Sequence, residues 1–272
     1  MRIIRKRPDG YHDIETVFYP IHLSDEIEIS EGERVEFYSN VALHNDKKDG
    51  TESNLCLRAL RSFCERTGIN AEVKIRLQKN IPLGSGLGGG SSDAAAMLKG
   101  LQEIYGDPLS PIEMLDIARL LGSDVAFFLN GSPSYATGRG DVIEPLRYSI
   151  RQHILTLTPD ISVSTAFAYS VVTPTGLPAK SLREALRELD DSYSRYNGVI
   201  INDFEGVIVD SFPVIGRIKS ELENLGASYV SMSGSGSSIY GFFSTEDEAA
   251  NARDIIGAKY KLRAGDITPP AA

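Results

Sequence analysis

Tryptophan is absent from this 272-residue chain, and cysteine and histidine are scarce, with two and four residues respectively. Cys56 and Cys64 share one apolar-periodic stretch, where eight helical residues would set them about 12 Å apart, too far to bridge. His12, His22, His44 and His153 are scattered, and with two thiols they lack the clustered spacing of a zinc site, so no protein metal site is predicted. No apolar run approaches the roughly 20 residues that cross a bilayer, so no membrane partner is expected. Met1 to Arg7 is basic, but Pro8-Asp9-Gly10 stands where a signal peptide needs apolar residues, and a cytoplasmic location is expected. Positive charge is in deficit, 28 basic against 37 acidic residues for a net −9 and a pI near 5.1. That balance argues against a broad phosphate-backbone footprint, and no nucleic-acid partner is expected.

What is present describes a folded α/β body. With 42% hydrophobic and 24% charged residues, the composition is globular, and the length suits one large domain or two packed ones. Glu26-Ile27-Glu28-Ile29 and Val35-Glu36-Phe37-Tyr38 alternate as half-buried antiparallel strands do. Leu55, Leu57, Leu60 and Phe63 have helical spacing, and Glu72 to Leu77 returns to strict alternation. Ser110-Pro111-Ile112-Glu113 has the form of a capping box, and Gly122 ends the helix it opens. The pattern turns irregular between Gly140 and Asp160, which sets a domain boundary near residue 150 and predicts domains 1–150 and 151–272. Further helices are predicted over Leu182–Leu189, Val214–Leu225 and Glu246–Ile256, with strands at Ile154–Leu157 and Ile239–Phe243.

The most informative segment follows the strand ending at Leu77. Pro82-Leu83-Gly84-Ser85-Gly86-Leu87-Gly88-Gly89-Gly90-Ser91-Ser92-Asp93 runs into Ala94-Ala95-Ala96-Met97-Leu98, whose composition favours helix. Glycines let backbone N–H groups approach an anion and a helix start adds partial positive charge, so the loop has the parts of a phosphate cradle. Ser91 and Ser92 add hydroxyls for phosphate or a phosphate-bound metal. A flexible linker has similar composition, but a linker has no reason to open a helix. The chain contains no Gly-Lys dipeptide, which excludes the P-loop, and no His-Arg-Asp or Asp-Phe-Gly, which excludes the protein-kinase set. Gly84, Gly86 and Gly89 have dinucleotide-loop spacing, but the preceding strand alternates with charged residues, whereas a central parallel strand reads continuously apolar.

Lys79 through Ser92 resembles the central ATP-binding motif of the GHMP kinases, the small-molecule kinases named for galactose, homoserine, mevalonate and phosphomevalonate. Gly122-Ser123-Asp124-Val125-Ala126-Phe127-Phe128 is similar to the segment carrying their catalytic aspartate, and Ser233-Gly234-Ser235-Gly236-Ser237 to their third glycine motif. Arg7-Pro8-Asp9-Gly10-Tyr11-His12 resembles the substrate loop of members acting on a cytidine diphospho-methylerythritol in the non-mevalonate isoprenoid pathway. The resemblance implies an α/β (α+β) two-domain kinase fold, with an N-terminal domain like the second domain of ribosomal protein S5 and a ferredoxin-like C-terminal domain. It implies an enzyme that uses ATP and Mg2+ to phosphorylate the 2-hydroxyl of that small-molecule substrate, as a monomer or weak homodimer. A kinase of the homoserine or mevalonate class, or a noncatalytic nucleotide-binding module, are the alternatives.

Residue by residue, the resemblance makes Asp124 the group that accepts or orients the hydroxyl proton; read alone, Asp124 equally suits a helix cap. Pro82, Leu83, Gly84, Ser85, Gly86, Leu87, Gly88, Gly89, Gly90, Ser91 and Ser92 match the triphosphate loop, Lys79 a lysine near the nucleotide, and Asn54 an asparagine contacting adenine. Tyr11 and Tyr169 match rings that sandwich cytosine. His12 matches a cytosine-reading histidine, Thr165 a polar substrate contact, and Gly234, Ser235 and Gly236 the substrate-side glycine motif. Asp93 is assigned no catalytic role and is read as complementing the helix dipole in the first turn.

One family segment is unmatched. Family members begin with a strand containing Pro-Ala-Lys-Ile/Leu-Asn-Leu, whose lysine sits beside the catalytic aspartate, and here Met1 stands just upstream of Arg7. The expectation is a reading frame that starts upstream of Met1; the alternative is a genuine short chain that is catalytically weak and keeps only nucleotide binding. A lysine beside Asp124 would favour its ionised form and offset phosphoryl charge, so the chain as written is expected to be a weak kinase. Loss of that strand is also expected to leave unsatisfied backbone groups at a sheet edge or an interior gap.

Overall fold

The computed structural model describes residues 1–43, 53–178, 180–188 and 200–271, so His44 and Leu189 lie outside the described residues. The elements in chain order begin with β1 (Arg2–Lys6), β2 (His12–Phe18), β3 (Glu26–Glu31), β4 (Glu36–Ser39), α1 (Leu55–Thr67) and β5 (Val73–Gln78). There follow α2 (Gly89–Ile104), α3 (Pro111–Leu121), α4 (Val125–Asn130), β6 (Ser134–Thr137), β7 (Val142–Pro145) and β8 (His153–Pro159). The rest are α5 (Thr165–Val171), α6 (Leu182–Glu188), α7 (Phe204–Ser211), α8 (Pro213–Asn224), β9 (Tyr229–Met232), β10 (Ile239–Phe243), α9 (Glu246–Lys259) and β11 (Leu262–Thr268). They form two compact units, one of Ser24–Ile81 and Gly88–Ser132, the other of Met1–Leu23, Pro82–Leu87 and Pro133–Ala272.

In the smaller unit β5 is the central strand of the order β3-β5-β4. Its predicted alternation holds: Val73, Ile75 and Leu77 are buried while Lys74, Arg76 and Gln78 face solvent. β3 pairs antiparallel with β5, as expected, but β4 pairs parallel, with Phe37 opposite Ile75. The reason is the connection, because the chain passes through α1 between β4 and β5, and a helical crossover returns a strand in the same direction. α2 lies against α1, α4 and β3, and its buried Ala94, Met97, Leu98 and Leu101 join Phe63, Ile75 and Ile117 in the buried interior. Ser110 and Glu113 form the predicted capping box of α3, and Pro111 occupies the first turn.

The larger unit holds two antiparallel sheets, β1-β2-β6-β7 and β11-β8-β10-β9. In the second, the order of strands along the chain is β8, β9, β10, β11, with helices after β8 and after β10, which is the split β-α-β arrangement of ferredoxin-like domains. Leu155, Leu157, Ile239 and Phe243 of this sheet pack with Ile215, Ile218 and Leu222 of α8 and Ala249, Ala252 and Ile256 of α9. The expected bare edge beside β1 is closed at Ile3. Its N–H donates to Asp203 at 2.7 Å, and its carbonyl accepts from Thr175 N–H at 2.9 Å. Among the described residues no helix is long and apolar enough to cross a membrane.

Candidate active site

The glycine-rich loop passes from the larger unit to the smaller one between Leu87 and Gly88, and its two halves are built differently. In the first half the carbonyls are occupied. Arg263 donates to Leu83 O at 2.7 Å, Ser238 N–H to Ser85 O at 2.9 Å, and Ser233 Oγ to Gly86 O at 2.9 Å. A planar trans peptide points its C=O and the following N–H in opposite directions, so these bonds aim the Gly84 N–H away from the Arg263 guanidinium and the Gly86 and Leu87 N–H groups away from the 233–238 turn. Among the described residues, none of those three N–H groups has a hydrogen-bond partner. Only glycine fits at position 86, where φ is +78° and a Cβ would fall 2.4 Å from Ser233 O.

The second half opens α2. Gly88 is its N-cap, at φ +72° with no side-chain cap, and a Cβ there would lie 2.8 Å from the Phe128 ring. The first-turn N–H groups of Gly89, Gly90 and Ser91 therefore retain their donors at the positive end of a 16-residue helix. Ser92 Oγ donates back to Gly89 O at 2.8 Å, which ties this hydroxyl hydrogen to the helix. Asn54 is the buried N-cap of α1, its Oδ1 accepting from Cys56 N–H at 2.9 Å. The neighbouring Leu55 places Cδ1 3.6 Å from where a Cβ on Gly90 would be, so Asn54 stands beside the loop.

Behind this helix start, the Lys79 ammonium is buried between two carboxylates, bonding Asp93 at 2.8 Å and Asp25. Asp25 also accepts the N–H groups of Asn80 at 2.6 Å and Ile81 at 2.8 Å. The Asn40 side chain brackets the Lys79 backbone, accepting its N–H at 2.7 Å and donating to its carbonyl at 3.1 Å. Asp93 thus lies beyond the first turn, and its carboxylate holds Lys79 instead of complementing the dipole. Burial pushes its carboxyl up to about 7, opposed by the attraction of Lys79 and aided by the repulsion of Asp25.

Asp124 precedes α4 with a helical backbone, φ −77° and ψ −19°, and makes no side-chain cap bond, so the capping role is not what it does. Among the described residues its carboxylate has neither an ion pair nor a hydrogen bond, and burial alone raises its pKa. A desolvated, unneutralised carboxylate is a competent proton acceptor.

In the larger unit, the ring stacked on Tyr169 is His12, with centroids 5.0 Å apart and planes 27° from parallel; Phe204 meets Tyr169 edge-on at 4.9 Å. Burial, with a smaller contribution from Lys6, lowers the His12 pKa, so its imidazole is neutral near pH 7 and offers one donor and one acceptor. Tyr11 is 56% exposed, with the Arg139 guanidinium 5.0 Å from its ring centroid, and Asp141 fixes Arg139 through its N–H at 3.0 Å and its guanidinium at 3.1 Å. Thr165 Oγ1 meets Ser235 Oγ at 3.3 Å. Asn202 Nδ2 donates to Met232 O and Gly234 O, both at 2.8 Å, which holds the third glycine motif in place. Sequence reasoning missed Asp25, Arg139, Asn202 and Arg263. None belongs to a recognisable local pattern, and each acts through a partner distant in the chain or a turn that only the fold creates.

Two family models match the chain, GHMP kinases N terminal domain over residues 54–132 and GHMP kinases C terminal over residues 176–262. The chain belongs to the GHMP kinase family. Among its relatives, a 4-diphosphocytidyl-2-C-methyl-D-erythritol kinase of Parabacteroides distasonis is 43% identical over 244 residues, spanning 89% of this chain and 87% of the relative. One from Chlorobaculum tepidum is 36% identical, spanning 98% and 92%. A crystal structure of 4-(cytidine 5'-diphospho)-2C-methyl-D-erythritol kinase superposes with a TM-score of 0.76 at 31% identity, covering 98% of this chain and 94% of that one. A homoserine kinase from Cytophaga hutchinsonii, at 18% identity and a TM-score of 0.71, shares the fold.

Proposed function

We propose that this chain transfers the γ-phosphoryl group of ATP to the 2-hydroxyl of 4-diphosphocytidyl-2-C-methyl-D-erythritol. The observation that carries the reading is the set of loop amides without partners at Gly84, Gly86 and Leu87, continued by the uncapped start of α2. Backbone donors fixed in advance stabilise a polyanion without reorganising during the reaction. Phosphoryl transfer needs little more than such positioning, charge stabilisation and a place for the alcohol's proton. In this reading Asp124 takes that proton as the alcohol oxygen bonds to the γ-phosphorus. The bond from that phosphorus to the bridging β,γ-oxygen breaks, and ADP departs with the bonding pair.

Magnesium fits this set as a passenger of the nucleotide. The described residues contain no group of three His, Cys, Asp or Glu side chains able to hold a metal ion, and Mg2+ in such enzymes is carried largely by phosphate oxygens and water. The Ser91 and Ser92 hydroxyl oxygens would complete its shell, and when bound it would neutralise phosphate charge. The cytosine end of the acceptor is assigned to Tyr11, His12 and Tyr169, and the polar contact to Thr165 with the Gly234-Ser235-Gly236 turn. Asn54 and Lys79 are assigned to the nucleotide side, Asn54 toward adenine and Lys79 by fixing the loop. A family-domain boundary near residue 150 is supported by the gap between the two matched ranges, 54–132 and 176–262. The reading completes as a cytoplasmic monomer or weak homodimer.

A coupled ADP-release assay with the cytidine diphospho-sugar alcohol, homoserine and mevalonate offered separately tests the reading. It predicts ADP release that depends on the first acceptor and is competed by cytidine nucleotides; equal or greater turnover with either other acceptor would contradict it.

A further inference from the structure

We infer that Arg263, on β11, is a positioning residue for the triphosphate, fixing the entrance of the glycine-rich loop; the inference rests on the phosphate-binding reading of that loop. Its guanidinium joins three segments of the larger unit that are far apart in sequence. Nη1 donates to Leu83 O at 2.7 Å, Nε to Pro159 O at 3.1 Å, and Nη2 to Ile161 O and, at 3.4 Å, to Ser237 Oγ. Ser237 Oγ itself donates to Ile161 O at 2.6 Å, closing the network. One side chain thus connects the first turn of the glycine-rich loop, the segment leading to Thr165, and the third glycine motif.

Two physical consequences follow. First, pinning Leu83 O fixes the 83–84 peptide plane and so the direction of the Gly84 N–H, and the bonds to Ser85 O and Gly86 O do the same for the next donors. Second, the acceptors are carbonyls and one hydroxyl, so the positive charge of Arg263 is not cancelled. Among the described residues no carboxylate forms an ion pair with it, and Asp160, the acid whose charge reaches it, is bound by Lys261 at 2.5 Å. An uncancelled cation behind a ring of amides favours a polyanion on their other side. Lysine can substitute only in part, because it keeps the charge but a single ammonium has no planar fork to serve acceptors on three segments.

Calorimetric titration of the full chain, Arg263→Ala and Arg263→Lys with ATP and with adenosine separates positioning from mere folding. The parent should prefer ATP to adenosine. Losing charge-assisted bonds at the loop entrance should weaken ATP about tenfold in Arg263→Ala, with adenosine affinity unchanged and a smaller loss of the same kind in Arg263→Lys. If Arg263→Ala does not fold, Arg263→Lys alone carries the comparison. Undiminished ATP affinity in the folded variant, or an equal loss for ATP and adenosine, overturns the role of Arg263. A parent that does not prefer ATP overturns the phosphate reading of the loop as well.

Discussion

The Lys79 ammonium lies 2.8 Å from the Asp93 carboxylate and also bonds Asp25, so one buried cation is clamped between β5, the residues before β3 and the second turn of α2. A Cβ on Gly89 would come within 3.1 Å of that ammonium, which places the ion cluster directly behind the helix start. The cluster's charge holds α2 in register with β5, and the donors without partners at the loop are backbone N–H groups.

Stability should therefore depend on pH through Asp93. Its carboxyl titrates at about 7 when folded and near 4 when unfolded. Between those values the folded chain keeps a proton that the unfolded chain has lost, so stability falls as pH rises through the window. The unfolding free energy of the parent minus that of Asp93→Asn, measured with denaturant from pH 4 to 7, should fall as pH rises; a difference that does not change with pH would contradict it. Lys79→Ala, which leaves two buried carboxylates facing each other, should cost about 3–5 kcal/mol in the same assay.

Gly86 and Gly226 separate strain from collision. Both have positive φ, +78° and +96°, but a Cβ at 226 meets nothing within 4 Å, whereas one at 86 strikes Ser233 O at 2.4 Å. Gly226→Ala should cost about 1 kcal/mol from backbone strain and leave ATP binding intact. Gly86→Ala should cost more and weaken ATP, because relieving the collision moves the loop amides. Equal effects of the two substitutions on ATP affinity would show that the loop conformation is not needed.

The stacked pair of His12 and Tyr169 predicts a split in kinetics. Tyr169→Ala removes the partner of the His12 ring and should raise KM for the cytidine-bearing acceptor by up to about tenfold, in line with the energy of one aromatic pair, while KM for ATP stays constant. Since burial lowers the His12 pKa below that of a free imidazole, any protonation effect of this ring on acceptor KM should appear at lower pH than a free imidazole would give. A parallel change in both KM values would assign the pair to general folding.

Local features of this fold are legible in the sequence alone. The Ser110–Glu113 capping box depends on four consecutive residues, and the alternation of β5 on a burial period of two, so neither needs tertiary information. Alternation reports which face a strand buries but not its neighbour's direction, which is why β4 was misjudged. Asp124 has the sequence context of a cap, and only its αR backbone removes the side chain from that duty. Arg263 reaches a carbonyl 180 residues away and Lys79 a carboxylate 54 residues away, and no short-range pattern encodes such pairs. His12 and Tyr169 were both assigned to cytosine, but their direct stacking follows from the packing of the larger unit and not from their motifs.

Turnover of Asp124→Asn beside the parent, with ATP affinity measured on both, decides whether loop amides hold a triphosphate while Asp124 takes the alcohol's proton. In Asp124→Asn kcat should fall about 10²–10⁴-fold with ATP binding retained, and in the parent the acid limb of kcat/KM should lie above the ordinary carboxylate range, because burial raises the Asp124 pKa. Turnover of Asp124→Asn equal to that of the parent, with the same pH profile, would contradict it.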